Sequence, residues 1–322
     1  MNRIPVSVIT GFLGSGKTTL LANLLRDPAL ERTAVIINEF GAVGLDHLLV
    51  EASDEQILTL EGGCVCCTVR GDLVRTAGDL LARRAAGSVP PFERIVIETT
   101  GLADPAPIVH ALMTDRDLAG ALRLESVIAT VDAAAGGATL DAHPESVKQA
   151  ALADRIVVTK TDLADPAANG LAHRLRELNP GAPTLTAVHG ALEASRLFGG
   201  GYDPRPYDDI APVHSHGINT FCLRRAQPLH AATLSLFLHV LAEHCGARLL
   251  RLKGLVDVVE APGRPAVIHG VQHVFHAPAW LDAWPDEERS TRIVVISQGL
   301  DAGWMHDLLE ALDDEVKRCS IS

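Results

Sequence analysis

The stretch GFLGSGKTTL, residues 11–20, limits the possible folds of this chain more than any other segment. It has the form GxxxxGK[ST], follows the β-branched run IPVSVIT (4–10) and precedes a helix-like segment at 17–26. A glycine turn between a strand and a helix can curl so that successive N–H groups point inward at an anion, with the helix N-terminus adding partial positive charge. Gly11, Gly14 and Gly16 supply the curl. Ser15, Gly16, Lys17, Thr18 and Thr19 line the expected phosphate cradle together with Gly14. Lys17 is expected to bridge the β- and γ-phosphates, and Thr18 to offer its hydroxyl to Mg²⁺.

The remainder of the first 197 residues has the alternation that such a loop requires. TAVIINEF (33–40), RIVIETT (94–100), SVIATVD (126–132) and RIVVTK (155–160) are near-continuous apolar runs. Runs of this kind suit parallel strands buried on both faces. Helix-like segments at 72–86, 105–113, 144–152 and 168–178 lie between them. The pattern predicts an α/β domain, a doubly wound and mostly parallel sheet of the P-loop type, over 1–197. The Gly-, Pro- and Asp-rich stretch at 198–216 reads as a linker. Residues 217–322 predict a second, smaller α+β domain with a mostly antiparallel sheet. Its strands are expected at 218–225 and 249–259 and in AVIHGV, HVFHAP and TRIVVIS, with helices at 229–244 and 302–317. In the last helix Met305, Leu308, Leu309, Leu312 and Val316 form one apolar stripe.

Further motifs follow the phosphate loop. In RIVIETTGLADP, Glu98 takes the strand-end place of the Asp that holds the magnesium shell in most P-loop proteins, and a longer carboxylate can still hold a magnesium-bound water. Gly101 is placed to offer its N–H to the γ-phosphate. VVTKTDL (157–163) ends a strand in a TKxD form. The Asp162 carboxylate can accept both N1–H and the 2-amino group of guanine, a donor pair that adenine lacks. The Lys160 stem would lie over the purine face. TAVHG (186–190) is the candidate for the remaining base-side loop. Glu39, at the end of the 33–40 run, comes close to the phosphates if that strand neighbours the first one.

Three of the six cysteines stand within CVCC, at Cys64, Cys66 and Cys67, directly after Gly62 and Gly63. Thiolates are soft ligands suited to Zn²⁺ and its neighbours in the series. In an extended backbone Cys64 and Cys66 share a face and Cys67 does not, so one ion reaches all three only where the chain turns. Glu39 is a further oxygen ligand for such a set. Burial as small apolar groups and a strained local disulfide are the competing readings. The other cysteines, Cys222, Cys245 and Cys319, have no framework spacing, which fits a reducing, cytoplasmic compartment. A formal charge of −12 argues against nucleic acid or an anionic membrane as a partner. No apolar run reaches the ~18 residues of a spanning helix. His273 and His276, at odd spacing on an expected strand, are not assigned as ligands, nor are His214 and His216.

GFLGSGKTTLL, INEFG, GGCVCCTVR, IVIETTGLADP and TKTD in that order, with RLKG…GVQ in the second domain, resemble the CobW/YjiA family of metal-associated P-loop GTPases, within it the YjiA type. The resemblance spans essentially the whole chain. It implies slow GTP hydrolysis to GDP coupled to a transition metal, zinc or cobalt, and a role in metal homeostasis or insertion into a client metalloprotein. It also implies Lys17, Glu39 and Glu98 as catalytic residues, and Cys64, Cys66, Cys67 and Glu39 as metal ligands. Thr159 in place of Asn is a substitution that the YjiA type shares. Pairing of two subunits stays open. So do two rival readings: a metal-storage or redox module with a structural nucleotide, and an ATP-dependent enzyme using the same loop.

Overall fold

The computed structural model describes residues 3–37, 57–59, 65–68, 73–164, 170–199, 213–215, 217–275 and 277–321, with the backbone alone at 57–59, 65–68, 213–215 and 320–321. The chain forms two compact units, Met1–His173 with Ala182–Gly201, and Arg174–Gly181 with Tyr202–Ser322. Among the described residues no helix is long and apolar enough to cross a membrane.

In chain order the first unit runs β1 (Ile4–Gly11), α1 (Lys17–Leu24), β2 (Thr33–Ile37), β3 (Ile57–Thr59), β4 (Val65–Thr68), α2 (Leu73–Ala85), β5 (Arg94–Glu98), α3 (Ala106–Thr114), α4 (Arg116–Ala121), β6 (Leu122–Asp132), α5 (Gly136–Ala142), α6 (Pro144–Leu152) and β7 (Arg155–Thr159). After α7 (Gly170–Leu178), whose last turns group with the second unit, β8 (Thr184–Ala187) completes the sheet. The eight strands stand in the order β3-β4-β2-β5-β1-β6-β7-β8. Every described pairing is parallel except β3 with β4. This is the doubly wound, mostly parallel α/β sheet that the apolar runs predict. Leu20, Leu21 and Leu24 of α1 are fully buried against Ile9, Val35, Val96, Ile128 and Val157. Each such burial is worth about 1.5–3 kcal/mol, enough to hold an eight-residue helix that could not stand alone.

The strand order corrects one expectation. β2 does not neighbour β1, because β5 pairs with both and lies between them. Glu39 follows β2 outside the described residues. β6 starts at Leu122, four residues before the expected 126, because Arg123, Leu124 and Glu125 are only partly buried or exposed and include two charges, which hides the strand from a search for continuous apolar runs. β5 ends at Glu98, short of the expected Thr100: the Thr99 N–H makes a last ladder bond to the Ile9 carbonyl at 3.0 Å, and the turn closed by the Ala103 N–H on the Thr100 carbonyl at 3.2 Å follows.

The second unit is α+β. It contains β9 (Val213–Ser215), β10 (Ile218–Arg225), α8 (Ala231–Cys245), β11 (Leu249–Val256), β12 (Ala266–Val271), β13 (Val274–Phe275), β14 (Ala279–Trp280), β15 (Thr291–Gln298) and α9 (Ala302–Ile321). Its antiparallel sheet runs β13-β12-β11-β15-β10-β9, with β14 also on β12. Phe237 and Leu241 of α8 and Met305 and Leu309 of α9 share a core with Leu252, Val256, Ile293 and Val295. The expected strand HVFHAP is a correction. Val271 pairs with Val274, so Gln272 and His273 form a two-residue hairpin turn, with Gln272 at φ 53°. His273 therefore lies in a turn and not on a strand face, and His276 lies outside the described residues.

Candidate functional site

The site lies at the carboxyl ends of β1, β5, β6 and β7, where the sheet order reverses direction around β1. Ligands in open α/β sheets gather at such a crevice. Gly16 caps α1 in the left-handed region, at φ 89° and ψ 20°, a conformation that glycine adopts without steric cost. No acidic residue stands in the first turn of α1, so its positive end is left for an anion.

Lys17 is almost fully buried, and its Nζ donates to the carbonyls of Gly11 at 2.9 Å and Phe12 at 3.2 Å. The lysine thus folds back over the loop that it is expected to serve. Thr18 Oγ1 donates to Glu98 Oε1 at 2.6 Å, and Glu98 is 1% exposed. A hydroxyl and a carboxylate side by side at the head of α1 are two hard oxygen donors, the chemistry that Mg²⁺ selects. The residues present fit that ion.

Around the loop, hydroxyls tie the strand ends together. Ser15 Oγ and Thr130 Oγ1 lie 2.6 Å apart, and Thr99 Oγ1 donates to Thr10 Oγ1 at 2.9 Å. On the other flank Thr159 Oγ1 donates to the Ser15 carbonyl at 2.7 Å. Gly101 is pressed against the loop as well, since a Cβ there would lie 2.7 Å from the Leu13 nitrogen and 2.8 Å from its Cα. The Phe12 ring stacks on His143, the N-cap of α6, at a centroid distance of 4.3 Å.

The base-side candidates come together after β7 and β8. Lys160 adopts a left-handed backbone, φ 55°, and its Nζ donates to Asp132 Oδ2 at 2.8 Å. Burial pushes the Asp132 carboxyl up, but hydrogen bonds from Lys160 and from the Ala135 and Ala134 N–H groups outweigh it and hold the group below its usual range. Asp162 stands beside His189, with Oδ2 3.9 Å from Nε2. Asn23 of α1 donates to the His189 carbonyl at 2.9 Å, which fixes the 186–190 turn to the phosphate helix. Asp132, Thr130, Asn23 and Gln149 are site residues that sequence reasoning missed. Only Asp132, a carboxylate ending an apolar strand, carried a readable signal.

The thiol segment is placed by its backbone. Cys66 and Cys67 are ladder residues of β4, aligned with Val35 and Ile36 of β2, and through them with Val96 and Ile97 of β5. One row further on, Thr68, Ile37 and Glu98 share a register. The thiol strand is therefore two strand spacings, about 10 Å, from the strand that carries Glu98. Residues 65–68 are extended, so the described strand supplies no turn between Cys66 and Cys67 of the kind that one ion shared by all three thiols requires. Cys64 and Glu39 lie outside the described residues. Among the described residues no cluster of three metal-ligating side chains occurs.

Comparison with known proteins adds an independent result. The CobW/HypB/UreG nucleotide-binding domain model matches residues 5–186, and the cobalamin synthesis protein cobW C-terminal domain model matches 218–313. The Escherichia coli zinc chaperone YjiA is 34% identical over 92% of this chain and 94% of its own length. A zinc-regulated GTPase metalloprotein activator of Saccharomyces cerevisiae is 30% identical over 66% of this chain and 52% of its own. The Zn(II)-bound YjiA GTPase from E. coli superposes with a TM-score of 0.77 at 31% identity, over 97% of this chain and 99% of that one. A Zn(II)-bound YjiA triple mutant, with one glutamate and two cysteines changed to alanine, superposes with the same TM-score of 0.77 at 30% identity over 97% of this chain and 99% of that one.

Proposed function

The chain belongs to the CobW/HypB/UreG family, and from that premise we propose that it is a zinc-handling GTPase that hydrolyses GTP to GDP and phosphate while loading or releasing a transition metal for a client protein. The observation that carries the reading is the Thr18–Glu98 contact at 2.6 Å beside a buried Lys17, which brings two hard oxygen donors and a cationic side chain together at the head of α1. Mg²⁺, when bound, would neutralise charge building on the phosphates. The chain's own part is positioning: the loop N–H groups hold the phosphates, Lys17 leaves the Gly11 and Phe12 carbonyls for the β- and γ-oxygens, and Glu98 orients the cation shell through Thr18. No strong general base adjoins this pair among the described residues, and turnover is slow in consequence. Asp162, with Lys160 beside it, selects guanine.

Zinc is the cargo, with cobalt the alternative, and Cys64, Cys66, Cys67 and Glu39 are the proposed ligands. In support of a link between the two sites, β4 with Cys66 and Cys67 stands two places from β5 in the same sheet. Supporting this reading are the YjiA relative's name, zinc chaperone, and its Zn(II)-bound structure. The triple-mutant relative also carries Zn(II), so metal content alone does not test the thiols. A difference between nucleotide states does.

The test of the nucleotide reading is competition binding with GTP, ATP and xanthosine triphosphate. The parent is expected to prefer GTP over ATP by at least about a hundredfold, since a site built around a donor pair rejects a base that lacks it. Asp162→Asn replaces one acceptor with a donor, which suits the 2-oxo group of xanthine, and preference should move to the xanthine nucleotide. Equal binding of GTP and ATP by the parent would leave the ATP-dependent reading standing instead.

A further inference from the structure

Helix α6 touches the nucleotide site in two places, though none of its residues belongs to a nucleotide motif. Its cap, His143, stacks on Phe12 of the phosphate loop. One to two turns on, Lys148 Nζ lies 3.6 Å from Asp104 Oδ2, and the neighbouring Gln149 reaches the segment that follows β5. Gln149 Nε2 donates to the carbonyl of Gly101 at 3.2 Å and to that of Ala103 at 3.0 Å. Gln149 is 1% exposed, and Ser146 and Leu152, one turn away on the same side of α6, are buried with it. A carboxamide is costly in such a place unless its hydrogen bonds repay the burial. Here only one end of it is used, since Oε1 has no partner among the described residues. The amide orientation follows from its neighbours: reversing it would set an acceptor against two carbonyls. Gln149 also lines a cavity with about 400 Å³ of empty space, part of it open to solvent, beneath Phe12 and Leu13.

The two carbonyls that Gln149 holds flank Leu102, and Gly101 is the residue whose backbone is pressed onto Leu13. The segment is therefore fixed from two sides, by the phosphate loop and by α6. Its turn is closed by the Ala103 N–H on the Thr100 carbonyl at 3.2 Å, which leaves the Gly101 and Ala103 carbonyls free to take a donor from α6. Rotating either held peptide plane breaks a buried hydrogen bond, so the aim of the neighbouring Gly101 N–H depends on the hold. We propose that Gln149 is a positioning residue for the nucleotide reaction, its carboxamide setting the 101–103 segment so that the Gly101 N–H meets the terminal phosphate of GTP. This rests on the GTPase reading above. It adds the residue through which α6, and with it the strands β6 and β7 that it joins, registers whether that phosphate is present.

The test uses the full chain with Gln149→Glu, nearly isosteric but without the N–H donors, and Gln149→Leu as an apolar second variant. GDP and a non-hydrolysable GTP analogue are titrated into each with Mg²⁺, and amide hydrogen exchange is followed over 99–106 in the nucleotide-free protein. The expected result is a fall of about tenfold in affinity for the GTP analogue, the equivalent of one hydrogen bond to a buried group, with GDP affinity unchanged. The turnover number should fall with it while KM for GTP rises, and exchange over 99–106 should quicken. A purely structural glutamine would lower thermal stability and weaken both nucleotides alike. Variants with the parent's ratio of GTP-analogue to GDP affinity would overturn the proposal and leave the GTPase reading intact. A parent without guanine-nucleotide binding would overturn both.

Discussion

Thr159 stands where a guanine-binding strand end usually carries Asn, and its hydroxyl shows what that position does in this chain. It donates to the Ser15 carbonyl at 2.7 Å, and Gly16 lies against it closely enough that a Cβ there would sit 3.4 Å from Thr159 Oγ1. A side chain on β7 thus holds the phosphate loop in shape. Thr159→Val keeps the volume and branching and removes the hydroxyl, which leaves a buried carbonyl without its donor. The expected cost is about 1 kcal/mol in unfolding free energy, the scale of one such bond, together with a similar weakening of GTP and GDP. Urea unfolding and calorimetric titration of both nucleotides measure it. A variant that loses GTP affinity alone would show that Thr159 acts on the terminal phosphate instead of on the loop.

At the scale of elements, legibility tracked how each residue is buried. The strands buried on both faces, β1, β5 and β7, were plain in the sequence as apolar runs. The half-buried start of β6 was not, and neither was the hairpin at Gln272–His273, which turns without glycine at either position. Within the site, motif residues were readable because phosphate and base chemistry restricts them to few types. Gln149 and Asn23 were not, because any helix carries such residues and only the fold gives them carbonyls to hold. α9 shows the same limit. Its stripe Met305, Leu309 continues on the same face to Asp313, which is 0% exposed and reads as an interruption until Arg225 Nη2 is found 2.6 Å from it. Burial pushes the Asp313 carboxyl up, but hydrogen bonds from Lys317 and Thr233 and the charges of Arg225 and Lys317 bring it below its ordinary 3.8. The folded unit therefore binds fewer protons than the unfolded chain just below pH 3.8, and this stabilisation, full above that value, is lost as the pH falls through the depressed one. Asp313→Ala should cost roughly 1–3 kcal/mol at neutral pH, because Arg225 keeps Glu310 and the Gln227 carbonyl but its Nη2 loses a buried carboxylate. Unfolding of the variant should also show a smaller acid-induced drop than the parent in this window, the lowered Glu260 and Glu288 of the same unit still contributing. Parallel pH curves for the two proteins would remove the ion pair from the account.

At the scale of the whole molecule the decisive feature is strand order. The insertion of β5 between β1 and β2 gives one strand two neighbours of consequence: the phosphate loop after β1, and β2, which hands its ladder on to the cysteine strand β4. A sheet transmits a shift along its ladder only where strands are hydrogen-bonded in sequence, and β4-β2-β5-β1 is such a series. Ordering of the segment after β5 by a terminal phosphate is therefore expected to reach the strand that carries Cys66 and Cys67. Coupling of this kind is reciprocal: if the GTP analogue tightens zinc binding by a factor, zinc tightens the analogue by the same factor. With a coupling free energy of about 1–3 kcal/mol, that factor is roughly 5–150. The measurement is a closed cycle on the intact chain, zinc titrated in the presence of GDP and of a GTP analogue, then each nucleotide titrated with and without zinc. In the parent the two factors should agree and exceed about fivefold. With Cys64, Cys66 and Cys67 all changed to alanine the factor should fall to one, even if some zinc is still held through other ligands. A thiol-free chain that keeps the parent's factor would place the coupling elsewhere in the molecule, and the cysteine strand would then be a bystander to the nucleotide cycle.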